Sequence, residues 1–178
     1  KCGEDEGGKY IILGGELEHN TAFVRHYKFK PELKLYEDSS VFKIKVTIEN
    51  LRAYPLEWSY LCHINFKPFE NAELVASTKY DNEHIKLYRS EGSPELQNYF
   101  DELEKDFTIM NKVGGEGQVY DPEICFGVKY IPDENGRAYT MQYTEDGACY
   151  VSHPTDALPY GVRWISRTEN EDSMGMVL

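Results

Sequence analysis

The residues best equipped for chemistry lie in Tyr60-Leu61-Cys62-His63-Ile64-Asn65-Phe66. In a strand, alternate side chains share a face. Tyr60, Cys62, Ile64 and Phe66 therefore point one way, and Ser59, Leu61, His63 and Asn65 the other. The first set suits a sheet core. The second places an imidazole, which titrates near neutral pH, beside a hydrogen-bonding amide, as the floor of a pocket for a polar ligand requires. One other reading of His63 stays open, a ring satisfied within the sheet by a backbone carbonyl.

Further candidates are scattered. Asp121 and Glu123 flank Pro122 at a strand start, where edge protection and turn chemistry explain them better than a site role does. Arg163 and Trp164 offer a sugar-binding edge, because an indole stacks on pyranose C–H groups and a guanidinium reaches hydroxyls. Neighbours in a strand face opposite ways, so only one of the two can line a given groove. His153, in Ser152-His153-Pro154-Thr155-Asp156, reads as a surface loop residue. Ser152, His153 and Asp156 are too local for a hydrolase triad, whose members converge from separate elements. His19, His26 and His84 also read as surface residues.

The elements that must position these groups are mostly strands. Tyr10–Leu13 is followed by a Gly14-Gly15 turn, and Thr21–Phe29 by a break at Pro31. In Val41–Glu49, Phe42, Ile44, Val46 and Ile48 alternate with Lys43, Lys45, Thr47 and Glu49, the pattern of a half-buried strand. Leu56–Phe66, Glu123–Ile131, Ala138–Tyr143, Ala148–Val151 and Val162–Ser166 continue the series, with hairpin turns at Asn135-Gly136 and Asp146-Gly147. One segment differs. Ser93 is a good N-cap and Pro94 a good first residue for a helix to about Asp106, with Leu96, Tyr99, Phe100, Leu103 and Phe107 on one side. Short strands, tight turns and one amphipathic helix predict an all-β antiparallel sandwich.

Composition narrows the partners. A chain of 178 residues is long enough for one domain with a proper core. Fourteen Tyr, eight Phe and two Trp favour strands and suit sugar-stacking surfaces. A net charge of -12 opposes nucleic acid and anionic membrane surfaces. No apolar run approaches a membrane span. Cys2, Cys62, Cys125 and Cys149 lack zinc spacing, and Cys62 and Cys125 read as buried free thiols, which favours a reducing, cytoplasmic setting. The chain opens on Lys1 and closes on Met174-Gly175-Met176-Val177-Leu178, the start of a strand. These ends suggest one domain over 1–178 that is a fragment of a longer one, whose incomplete sheet edges would leave self-association open.

Four segments in order resemble the aldose 1-epimerase (galactose mutarotase-like) superfamily, in particular a less characterised subgroup. They are Leu13-Gly14-Gly15-Glu16-Leu17 with Asn20-Thr21-Ala22, then Leu61-Cys62-His63-Ile64-Asn65-Phe66, then Tyr120-Asp121-Pro122-Glu123-Ile124, and Trp164-Ile165-Ser166-Arg167 leading to Met174-Gly175-Met176. The resemblance implies a large antiparallel supersandwich with a shallow, aromatic-lined sugar groove, here at partial length. It implies a monosaccharide or related carbohydrate as partner and interconversion of its anomers by acid and base, with neither metal nor cofactor. His63 matches the family's acid, and Asn65 would support it or a sugar hydroxyl. Two positions depart. A second family histidine falls at Gly14, and the family's glutamate base falls near the apolar Val177. Glu16, Asp121 or Glu123 would then have to supply the base, with Asn65, Asp121, Arg163 and Trp164 holding substrate. A phosphorylated sugar is disfavoured, because no Arg/Lys cluster is evident. The alternative, of a different class, is a non-catalytic sugar-binding or sensing domain that has lost the base.

Overall fold

Alternating apolar residues build the chain into antiparallel strands grouped in two compact units, Lys1–Ser59 and Tyr60–Leu178. The computed structural model describes residues 1–114, 119–170 and 172–177, the side chains of Asp172, Met176 and Val177 excepted. Leu178, the end of the expected terminal strand, lies outside the described residues.

The first unit contains β1 (Cys2–Asp5), β2 (Gly8–Gly14), β3 (Leu17–Thr21), β4 (Arg25–Tyr36) and β5 (Phe42–Asn50). β4 organises them. β5 pairs along one of its edges, while β2 and β3 lie end to end along the other. Contrary to the expected break, β4 runs straight through Pro31. The Pro31 carbonyl accepts from Gly15 N at 3.3 Å, so its nitrogen faces the junction between β2 and β3. A ladder donor is not needed there, and the missing N–H costs nothing. Register sets Ile11, Leu35 and Phe42 in one row, Leu13, Leu33 and Ile44 in the next, and Leu17, Phe29 and Ile48 beyond Pro31 and Val46. The opposite face carries ion pairs, among them Lys28–Glu16 at 3.1 Å and Lys30–Glu16 at 3.3 Å. No residue of this unit is buried.

The second unit holds the core. A five-stranded antiparallel sheet runs in the order β6 (His63–Phe66), β13 (Asp172–Val177), β12 (Tyr160–Arg167), β9 (Tyr120–Lys129), β8 (Ile85–Tyr88). A three-stranded sheet orders β11 (Gly147–Pro154), β10 (Arg137–Thr144) and β7 (Glu73–Ala76). Ile124, Phe126, Ile165 and Met174 from the first sheet join Leu74 and Ala138 from the second in one buried cluster, the interior of a sandwich. The expected helix is α1 (Pro94–Leu103), capped by Ser93 Oγ accepting from Leu96 N, with Leu96, Phe100 and Leu103 buried. Phe107 belongs instead to a separate 3₁₀ turn, Phe107–Asn111. The structure shows the all-β class, with one α-helix among the described residues. No helix among the described residues is long and apolar enough to cross a membrane.

Two further expectations change. Among the described residues, the strand expected from Leu56 pairs only over His63–Phe66, where it lies against β13. His153 is not in a loop. It lies in β11 opposite Ala138, only 3% exposed, with its ring against Tyr130 at 4.6 Å. Burial, and then the Arg137 charge, hold its pKa below the ordinary 6.5, so the folded state prefers the neutral ring. The unfolded chain binds the extra proton, so stability falls as pH drops below about 6.5. Urea unfolding measured from neutral to mildly acidic pH should show this loss, and His153→Leu should flatten it.

Candidate functional site

The five-stranded sheet of the second unit gives one face to the core and the other to solvent. On the solvent face, register builds two rows that cross all five strands. One is Asn65, Gly175, Trp164, Cys125 and Tyr88, and the next is His63, Val177, Val162, Gly127 and Lys86. Both rows contain a glycine under an aromatic ring. A Cβ on Gly175 would lie 2.9 Å from Trp164 Cε3 and 3.1 Å from His63 Cε1, and one on Gly127 would lie 2.9 Å from Tyr88 Oη. The missing side chains make room for the indole over Gly175 and the phenol over Gly127, an aromatic shelf on this face.

His63 and Glu123 meet that shelf from different strands. The imidazole packs edge to face on the indole, with centroids 5.9 Å apart and planes at 66°. Trp164 Nε1–H donates to Glu123 Oε2. An acid-capable ring and a carboxylate thus share one aromatic platform, with the exposed Asn65 amide beside them. Burial first, and then the Glu123 charge, push the Cys125 thiol up to about 11, so it stays protonated and unreactive at neutral pH.

A hollow of about 640 Å³ opens on the same face, lined by Leu61, His84, Lys86, Tyr88, Gly127, Tyr160 and Val162 among others. His84 Nδ1 lies 2.7 Å from Asp81 Oδ1, which orients the ring, and Lys86 Nζ lies over the Tyr88 ring at 5.2 Å. Sequence reading passed over Lys86, Tyr88 and Tyr160. The signal was present in Ile85-Lys86-Leu87-Tyr88, which alternates in and out, but four residues give too little period to read. A smaller hollow of about 480 Å³ is walled by Glu70, Glu73, Glu145 and Asp146 and lacks an imidazole.

Of the expected site residues, His63, Asn65, Glu123 and Trp164 come together here. Arg163 does not. It points into the core, 1% exposed, and its Nη1 donates to the Met110 carbonyl at 3.0 Å. The inward face of β12 is the one that packs on the second sheet, so Trp164 takes the groove and Arg163 is withdrawn from it. Glu16 belongs to the first unit, where hydrogen bonds from Lys28 and Lys30 hold its carboxyl below the usual range, a poor setting for a base. Asp121 is exposed at the start of β9, and no hydrogen bond or ion pair among the described residues ties it to the cluster. The Val177 side chain lies outside the described residues. Its backbone stands opposite His63 in the β6–β13 register.

No protein-family model and no curated protein matches the chain. Among solved structures, it is similar to a putative aldose 1-epimerase from Klebsiella pneumoniae subsp. pneumoniae MGH 78578, with a TM-score of 0.78 and 17% identity. The two share one fold. The match covers 99% of this chain and 43% of that protein, so the chain spans less than half of its relative's length. The resemblance read from the four sequence segments therefore holds at the level of fold.

Gly175→Ala tests the shelf directly. Its Cβ must displace the indole and the imidazole together, a form of overpacking that costs roughly 1–3 kcal/mol. In a Trp58→Phe background, the emission of Trp164 should shift and the urea midpoint should fall. Glu123→Gln keeps an acceptor for the indole N–H and should leave that emission unchanged.

Proposed function

We propose that the solvent face of the five-stranded sheet binds a monosaccharide over Trp164 and interconverts its anomers, with His63 as general acid and Glu123 as general base. The observation that carries this reading is the shared platform, His63 and Glu123 each touching one indole from separate strands. The shared fold with a putative aldose 1-epimerase supports it independently.

The chemistry asks for little else. Glu123 takes the proton from the anomeric hydroxyl while His63 gives one to the ring oxygen. The bond between the anomeric carbon and the ring oxygen breaks, and the hydroxyl electrons form the aldehyde. Rotation about the adjacent carbon–carbon bond presents the other face, and reclosure returns both protons. Glu123 Oε2 accepts from the indole, while Oε1 carries no hydrogen bond among the described residues and is the oxygen that takes the proton. The Trp164 and Tyr88 faces stack on sugar C–H groups, and Asn65 holds a hydroxyl. Neutral sugars suit a chain of charge -12 better than phosphorylated ones. Carbohydrate metabolism is the corresponding setting.

One observation favours a second reading, binding without turnover. The apolar Val177 occupies the register position opposite His63, close to where the resemblance puts the base. Polarimetry and magnetisation-exchange NMR on fresh α-glucose and α-galactose separate the two. Under the first reading, mutarotation exceeds the buffer rate, and both His63→Ala and Glu123→Gln lower it by about a hundredfold or more. Saturable binding at the buffer rate would establish the second reading. Neither binding nor acceleration with a broad sugar panel would end both.

A further inference from the structure

We infer that the hollow beside Trp164 is a second sugar subsite, so that the unit over the indole is the reducing end of a disaccharide or longer glycan. The inference rests on the sugar reading of Trp164 and extends it. Neither Trp164 nor His63 lines the hollow, so a single pyranose over the indole leaves its volume of about 640 Å³ unused. Small-molecule sites span roughly 300–1,000 Å³. Register places the hollow. The outward residues of β12, β9 and β8 begin with the row Trp164, Cys125 and Tyr88, followed by Val162, Gly127 and Lys86. A third row sets Tyr160 beside Lys129, whose amide donates to the His84 carbonyl at 2.8 Å. Val162 and Gly127 thus make a low floor between Tyr88 on one side and Tyr160 on the other. With about 3.3 Å per residue and about 4.8 Å between strands, that floor lies about 7–8 Å from Trp164 along the sheet. One glycosidic link covers this reach.

The walls have the chemistry of a sugar site rather than of an anion site. Tyr160 is 63% exposed and Tyr88 43%, which leaves two phenol rings open to the apolar C–H faces of a pyranose. A Cβ on Gly127 would stand 2.9 Å from Tyr88 Oη, so the phenol hydroxyl already overhangs the floor. Donors and acceptors occur together around it. Lys86 Nζ, 5.2 Å from the Tyr88 ring centroid, is a donor. His84 supplies an acceptor. Its hydrogen bond to Asp81, at 2.7 Å through Nδ1, holds that carboxyl below the usual range. The ionised carboxylate takes the Nδ1 proton as its partner, and the neutral ring then carries its lone pair on Nε2. Sugar hydroxyls donate and accept, so they satisfy both groups. An anion only accepts, and it would meet Asp81 beside His84 and Glu83 on Lys129 at 3.3 Å.

Amide NMR titration of the whole chain with glucose, cellobiose, maltose and lactose tests this, since all three disaccharides end in glucose. At least one disaccharide should bind about tenfold tighter than glucose, the worth of one stacked aromatic contact. It should also shift the amides of Lys86, Gly127 and Tyr160, which glucose leaves in place. Tyr160→Ala and Lys86→Met, both at exposed positions, should each bring that disaccharide down toward the affinity of glucose. In turnover they should raise its KM and leave kcat as it was. Far-ultraviolet circular dichroism checks that each variant keeps its strands. Tighter disaccharide binding without turnover would keep the inference and select the binding-only reading. Glucose bound as tightly as every disaccharide would overturn the inference and leave the sugar reading of Trp164 standing. So would a gain that survives both variants. Failure to bind any of the four sugars would remove the inference and that reading together.

Discussion

The two-residue period of β12 governs the second unit. Arg163, Ile165 and Arg167 face inward and are buried, while Val162 and Trp164 face out and are half-buried. The inward arginines also hold chain. Arg163 Nη1 donates to the Met110 carbonyl at 3.0 Å, and Arg167 Nη1 to the Gly114 carbonyl at 2.8 Å, so β12 pins the 3₁₀ turn and the chain as far as Gly114 onto the sheet. Burying a guanidinium is costly unless its donors find partners. Burial accordingly pushes the Arg163 pKa down, although Tyr80 and Tyr130 beside it act in the opposite direction. One strand therefore secures the core with cations on one side and presents an indole to solvent on the other.

The solvent face depends on what is missing from it. Side chains at Gly175 and Gly127 would force the Trp164 and Tyr88 rings upright or aside. Without them there is room for the indole over Gly175 and the phenol over Gly127, His63 packs edge to face with the indole, and the indole N–H reaches Glu123. The proposed function rests on this aromatic surface and its imidazole, amide and carboxylate, because a pyranose is apolar on its faces and polar around its rim.

The first unit obeys the same alternation with a different result. Its strands sort apolar from charged residues as cleanly as any in the chain, yet no side chain in it is buried. Alternation makes a face; only a second layer makes a core. This difference separates the unit that holds the buried core from the unit that has none.

Local sequence determined a good deal. Alternation assigned strands, Ser93 and Pro94 fixed the start of α1, and His63 and Asn65 were placed on one face opposite Ile64 and Phe66, as their exposures show. It also determined that Arg163 and Trp164 face opposite ways. Which of them enters the core was decided only by the sheet that packs against β12, because a period of two gives relative sides and not the inward one. The same limit applies to Pro31, tolerated because β2 and β3 meet end to end beside it, and to His153, buried because its neighbour in register is Ala138. Glu123 joined Trp164, and Glu16 was tied to Lys28 and Lys30, through pairings between residues on different strands. Register across strands is a non-local property, and no window of sequence contains it.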